Sequence, residues 1–215
     1  MAAVLRRAFF LARRFVIFEI GIWRSLFLLV TRRVSGYGPG VEAFPYSRDI
    51  APLMGAFIFV SVLELPVVHL LLPWETVRLI AMVLSIWGLI WMVGLLASMK
   101  VFPHLLDDNG LRIRSGTTID IRIPWEAVAS VTARRRSGPP SQVERTDDGT
   151  VLNLAVLKQT KIDVELHRPT TIKLPHSTEQ ITELRFYVDD PRALVAAARE
   201  RLTVRLPQEQ LTSSR

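Results

Sequence analysis

Two apolar stretches, 51–72 and 77–99, limit what this chain can fold into more than any other feature. Each is a little over 20 residues long. At about 1.5 Å of rise per residue, a helix of that length spans roughly 33 Å, enough for the hydrocarbon core of a bilayer. The connector, Pro73-Trp74-Glu75-Thr76, is a tight turn carrying a tryptophan of the interfacial kind. The pair reads as a transmembrane helical hairpin. A hairpin buried in a soluble core would need a cover, and the rest of the chain is too small and too polar to supply one.

Charge sets the expected topology. Residues 1–50 carry eight arginines against three acidic residues, whereas 101–215 carry seventeen basic and fifteen acidic residues. The net charge of +7 is therefore mostly a basic N-terminal arm. Lys100 follows the second span, and the connector region offers only Arg78. By the positive-inside rule both termini are expected at the cytoplasmic face of the cell membrane, with only the short connector outside. The sequence holds no cysteine, which excludes disulfides, thiolate zinc sites and thiol catalysis.

Residues 1–34 read as a basic amphipathic helix. At 100° per residue, Arg6, Arg7, Arg13, Arg14, Arg24 and Arg32 share one arc, and Phe9, Ile17, Ile20, Phe27 and Leu28 spread over the remainder. Such a helix suits the bilayer interface, with arginines toward anionic headgroups. Glu19 and Arg24 interrupt the apolar run, against both a secretory and a twin-arginine signal. A third span over 15–30 would be short and would contain both charges. A Gly/Pro linker covers 35–50.

The first span contains Glu64, Pro66 and His69. An ionisable group near mid-bilayer is costly and normally faces protein or water. Glu64 is thus a candidate proton- or ligand-binding group. The plainer alternative is a protonated carboxyl bonded across the hairpin, or across a dimer, to Ser85 or an indole. His69 lies nearer the outer end and reads as interfacial. In the second span Trp87, Gly88, Trp91 and Gly94 read as packing residues, with a homodimer face as one use.

From residue 100 the apolar period changes to two, the period of half-buried strands. Asp107-Asp108-Asn109-Gly110 is a turn signal, and Ile119, Ile121 and Ile123 alternate with Asp120 and Arg122. About seven short antiparallel strands are expected over 111–114, 119–123, 127–135, 151–157, 162–167, 171–174 and 183–188. A polar loop is expected over 137–149. Asp190 as N-cap and Pro191 then start a helix ending near 204, and 206–215 read as a disordered tail.

The segments Gly110-Leu111-Arg112-Ile113-Arg114-Ser115-Gly116, Ile121-Arg122-Ile123-Pro124-Trp125-Glu126-Ala127-Val128 and Asp189-Asp190-Pro191 resemble bacterial PH-like domains, in particular those that follow two transmembrane helices in small actinobacterial membrane proteins. The resemblance implies an α+β membrane protein in which residues 100–205 form a cytoplasmic PH-like antiparallel β-barrel with a C-terminal helix. It implies a fold and a membrane location, and no agreed activity.

Sites with known mechanics are missing from the sequence. There is no P-loop, dinucleotide fingerprint, HExxH or nucleophile elbow. His69, His104, His167 and His176 lack metal-ligand spacing, and Asp147-Asp148-Gly149 reads as a turn. No enzyme activity, cofactor or metal is expected. Arg112, Arg114, Arg122, Arg134, Arg135 and Arg136 are the candidates for lipid or partner contact, and some of them are expected to share one patch. Nucleic acid is disfavoured, because stacking aromatics do not interleave with the arginines. The expected function is a non-enzymatic, membrane-anchored module that recruits a protein partner or senses anionic lipid. The second reading is an accessory subunit of a membrane transport or envelope-assembly complex that uses Glu64. Homo-oligomerisation through the barrel fits either.

Overall fold

The computed structural model describes residues 2–138, 143–146, 149–175 and 177–212, with side chains for all of these except 2–11, 14 and 204–212. The chain is α+β and divides into two compact units, Met1–Ser35 with Asp49–Phe102 and Gly36–Arg48 with Pro103–Arg215.

The first unit is helical: α1 (Ala2–Val30), α2 (Ala51–Leu71) and α3 (Glu75–Val101). Both α2 and α3 are long and apolar enough to cross a membrane. Pro52 in its first turn suits the start of α2, where a missing N–H costs nothing, and the helix continues through Pro66. Half-buried Met54, Ile58, Ser61, Leu65 and Val68 recur at helical spacing, yet no residue of α2 is fully buried. α3 packs on both other helices. Its C-terminal half buries Gly94, Ala97, Ser98 and Val101. Ile22 and Ser25 of α1 are buried too. A Cβ at Gly94 would overlap the Ile22 methyl, so a glycine is needed for this approach. The rings of Phe15 and Phe18 lie 5.5 and 5.1 Å from that of Trp91. The Trp91 indole N–H donates to Glu19 at 2.8 Å. Beyond α1, the Ser35 amide donates to the Val101 carbonyl at 3.0 Å. The contacts advance in the same direction along both helices, so α1 runs parallel to α3. The C-terminal half of α1 is thus a packing partner of α3, a role not contained in its reading as an interfacial arm.

The second unit has nine strands among the described residues, not seven. They are β1 (Glu42–Phe44), β2 (His104–Asp107), β3 (Gly110–Ser115), β4 (Ile119–Pro124), β5 (Val128–Ser137), β6 (Val143–Thr146), β7 (Gly149–Leu154), β8 (Gln159–Lys173) and β9 (Thr178–Phe186), followed by α4 (Pro191–Thr212). One sheet has the order β1-β2-β3-β4 and the other β5-β8-β9-β7-β6. The second sheet is mixed, because β7 pairs parallel with β9. The purely antiparallel arrangement expected from the sequence is corrected by that pair.

Four elements differ from those expected. The linker contains β1, too short to show a period, which pairs with β2 from Phe44↔His104 to Glu42↔Leu106. The loop expected over 137–149 holds β6, the hairpin partner of β7. The two strands expected over 162–167 and 171–174 are one strand, β8. Its pairing with β9 is interrupted between Glu165 and Thr170, and Pro169 sits in that irregularity, where no ladder N–H is required. Finally, α4 runs to Thr212 rather than stopping near 204.

A single apolar core joins both sheets to α4. In β4, Ile119, Ile121 and Ile123 are buried while Asp120, Arg122 and Pro124 are exposed. Each such isoleucine contributes about 2 kcal/mol of burial. A Cβ at Gly110 would strike the Ile123 carbonyl, so the β2–β3 turn requires glycine there. Asp107 closes that turn by accepting the amides of Asn109 and Gly110 at 2.8 and 3.0 Å. The Trp125 indole donates to the Asp107 carbonyl at 2.9 Å. Leu194 and Ala198 seat α4 on this core. Arg201 of α4 reaches Glu42 of β1 at 2.8 Å, and Asp189 accepts the Arg48 amide at 3.0 Å.

Candidate anion-binding cleft

β5 and β8 pair at Ala133↔Ile162 and again at Arg136↔Thr160. Three steps along β5 match two along β8, so β5 carries one extra residue. Such a bulge breaks the alternation that sends successive side chains to opposite faces. Arg134, Arg135 and Arg136 consequently line the same cleft, of about 380 Å³, with Lys158 and Arg185.

Lys158 arrives by an unusual route. The Val156 amide donates to the Gln159 carbonyl at 3.0 Å and the Gln159 amide to the Val156 carbonyl at 2.9 Å. The two residues between them, Leu157 and Lys158, have φ of +49° and +59°. This is the two-residue hairpin turn that normally carries asparagine or glycine. A left-handed backbone costs other residues about 1–2 kcal/mol each. The Lys158 carbonyl accepts the Gly138 amide at 3.2 Å, tying the turn to the end of β5.

The five cations of the cleft are not equivalent. Arg136 is held 2.9 Å from Asp163, whose side chain is only 5% exposed. Arg185 is paired with Glu183 at 2.6 Å, a bond that raises its pKa further above the usual arginine value. Glu144, the one carboxylate of the lining, accepts from Asn153 at 2.9 Å. Arg135 has only the neutral Gln159 amide, at 3.0 Å. Arg134 and Lys158 have no ion pair among the described residues. Arg134, Arg135 and Lys158 are therefore the cations open to a ligand, and Arg136 neutralises a buried acid. The sequence pointed to Arg134–Arg136 but not to Lys158 or Arg185, which come from a turn and a strand far along the chain.

Of the six candidate arginines, three share this cleft. Arg112, Arg114 and Arg122 lie on β3 and β4 and do not line this cleft. Arg112 donates to Asp120 from Nε at 2.7 Å, and that bond holds the Asp120 carboxyl below its usual range. Arg114 has a side chain only 3% exposed, with Nε 3.9 Å from Asp120. Burial, then the neighbouring Arg112, lowers its pKa. Arg122 is exposed.

Beside Arg114 lies a buried polar group that the sequence left unassigned. His104 Nδ1 accepts the Arg114 amide at 3.2 Å, so Nε2 carries the proton and donates to the Tyr187 carbonyl at 2.9 Å. Burial pushes the imidazole pKa down to about 4. The Tyr46 ring stacks on it at 4.6 Å. The Tyr46 hydroxyl accepts the Gly116 amide at 2.7 Å, and burial pushes its pKa up to about 12.

In the helical unit, Glu64 and His69 are exposed on α2. Glu64 lies outside the stripe that faces α3, and the bond considered to Ser85 or an indole is not made among the described residues. The indole of Trp91 serves Glu19 instead. Arg13 and Arg24 are exposed, and the Arg24 guanidinium lies 5.7 Å from the Phe102 ring centre. The side chains of Arg6, Arg7 and Arg14, and all of His176, fall outside the described residues. No group of metal-ligating side chains occurs among the described residues.

Comparison with protein families, curated proteins and solved structures finds no match.

Proposed function

We propose that this protein is a non-enzymatic module anchored in the cell membrane by α2 and α3, whose cytoplasmic β-unit, a PH-like domain on the resemblance above, recruits an anionic partner or senses anionic lipid. The observation that carries the reading is the cleft in which Arg134, Arg135 and Lys158 make no ion pair among the described residues, its one carboxylate, Glu144, being engaged by Asn153 and Arg185. Charge-assisted hydrogen bonds from arginine to phosphate or carboxylate are the strong contacts such a lining offers. Purification of the full chain in a gentle detergent, with mass spectrometry of bound lipids and proteins, tests it. The expected result is an anionic lipid or acidic protein retained by the wild type and lost from the Arg134→Gln/Arg135→Gln double variant. Equal retention by both overturns the role of the cleft.

A second reading, an accessory subunit of a membrane complex, is favoured by one observation. Glu64 is exposed partway along an apolar helix, where a carboxyl calls for a partner or a proton. Under this reading Glu64→Gln abolishes function while the protein accumulates normally.

A further inference from the structure

Leu157 is the one large apolar side chain exposed among the described residues after Phe102, at 45%. It occupies a left-handed position in a tight hairpin turn, where the backbone favours asparagine or glycine. Packing does not explain it, since the side chain leaves the core, and turn formation does not explain it either. Its neighbour Lys158 lines the cationic cleft together with Arg134 and Arg135. A strained backbone conformation kept at such a site points to a use for the side chain.

We infer that the Leu157-Lys158 turn is a membrane-docking tip: the phosphate of an anionic phospholipid enters the cleft, and Leu157 enters the acyl boundary above it. The inference rests on the anion-binding reading of the cleft and names the class of ligand. The chemistry divides between the two residues. Lys158, Arg134 and Arg135 meet the headgroup as charge-assisted donors. Leu157 supplies apolar area that a soluble phosphate or an acidic peptide would leave in water. A lipid surface is the ligand that uses both.

The sequence has no cysteine, so Leu157→Cys in the full chain gives a single labelling site. The probe is an environment-sensitive fluorophore at that site, in nanodiscs of phosphatidylcholine alone or with phosphatidylglycerol. Expected are a blue shift and quenching by acyl-labelled spin lipids, only in the anionic discs, both lost when Arg134→Gln/Arg135→Gln is added. A label that stays in water in both discs overturns the docking tip.

An unlabelled variant guards against an artefact of the label. Leu157→Asn suits the turn, so its thermal midpoint in neutral discs is expected to rise. The further rise that anionic discs give the wild type is expected to be lost. If Leu157→Asn keeps that lipid-dependent rise, the inference fails. Glycerol 3-phosphate and a short oligoglutamate separate the inference from the reading beneath it. If either raises the wild-type midpoint but not that of Arg134→Gln/Arg135→Gln, while the label ignores lipid, the cleft binds anions and the docking tip is wrong. If nothing anionic acts, both fall.

Discussion

Arg112 and Arg114 share one carboxylate, Asp120, across the β3–β4 pair, whereas Arg134 and Arg135 open onto a cleft whose one carboxylate, Glu144, is engaged by Asn153 and Arg185. The two clusters look alike in the sequence, as arginines toward the end of a strand. Strand register separates them. Regular alternation places Arg114↔Asp120 and Arg112↔Arg122 as cross-strand neighbours. The bulge in β5 leaves Arg134 and Arg135 on the cleft and Arg136 against Asp163. Closed pairs hold a fold together, and open ones are available to a ligand.

Acid is expected to separate the two clusters most strongly. The folded pKa of His104 is about 4 against an ordinary 6.5, so the unfolded chain binds more protons between those values. The contribution is fully present above pH 6.5 and is lost as pH falls toward 4, amounting to about 3 kcal/mol. Thermal unfolding followed against pH should show this loss in the wild type and a flatter profile in His104→Gln. Because His104 accepts the Arg114 amide, the closed cluster loosens while the cleft keeps its charge.

Arg136→Ala is expected to destabilise by about 2–3 kcal/mol, because it leaves Asp163 buried and unpaired. Denaturant unfolding measures it. A loss under half that size would place Arg136 among the open cations. Asp120→Asn is expected to cost about 1 kcal/mol, discounted because the carboxylate is half exposed. Its wild-type contribution is present above the ordinary carboxylate pKa and falls away below it, the depressed pKa fixing that sign. The smallest stability change, within about 0.5 kcal/mol, is expected for Arg134→Gln/Arg135→Gln. The same double variant should show the largest loss of anionic-ligand binding in a thermal-shift titration.

Local chemistry was legible in the sequence where one residue type has one use. Asp190 accepts the Ala193 amide at 3.0 Å, as an N-cap should. Asp107 to Gly110 form the turn, and the isoleucines of β4 alternate. What escaped depends on distant partners. Three residues of β1 carry no period, and the β7–β9 pairing joins segments some thirty residues apart in the chain. Glu19 read as an interruption because its partner, Trp91, lies on another helix. Half of the cleft was visible as three consecutive arginines. Lys158 was not, because nothing in Leu157-Lys158 announces a turn usually made by asparagine and glycine.

The pairing of Phe44 with His104 has a consequence for biogenesis. Sixty residues separate these partners, and both apolar helices lie between them. As the chain leaves the ribosome, β1 emerges early and waits without a neighbour while α2 and α3 are made. The first sheet therefore closes only after the whole apolar pair has been synthesised. A truncated gene beginning at residue 103 would encode a β-unit lacking an edge strand, Tyr46 and the partner of Arg201. The order of translation thus makes synthesis of α2 and α3 a prerequisite for completing the first sheet.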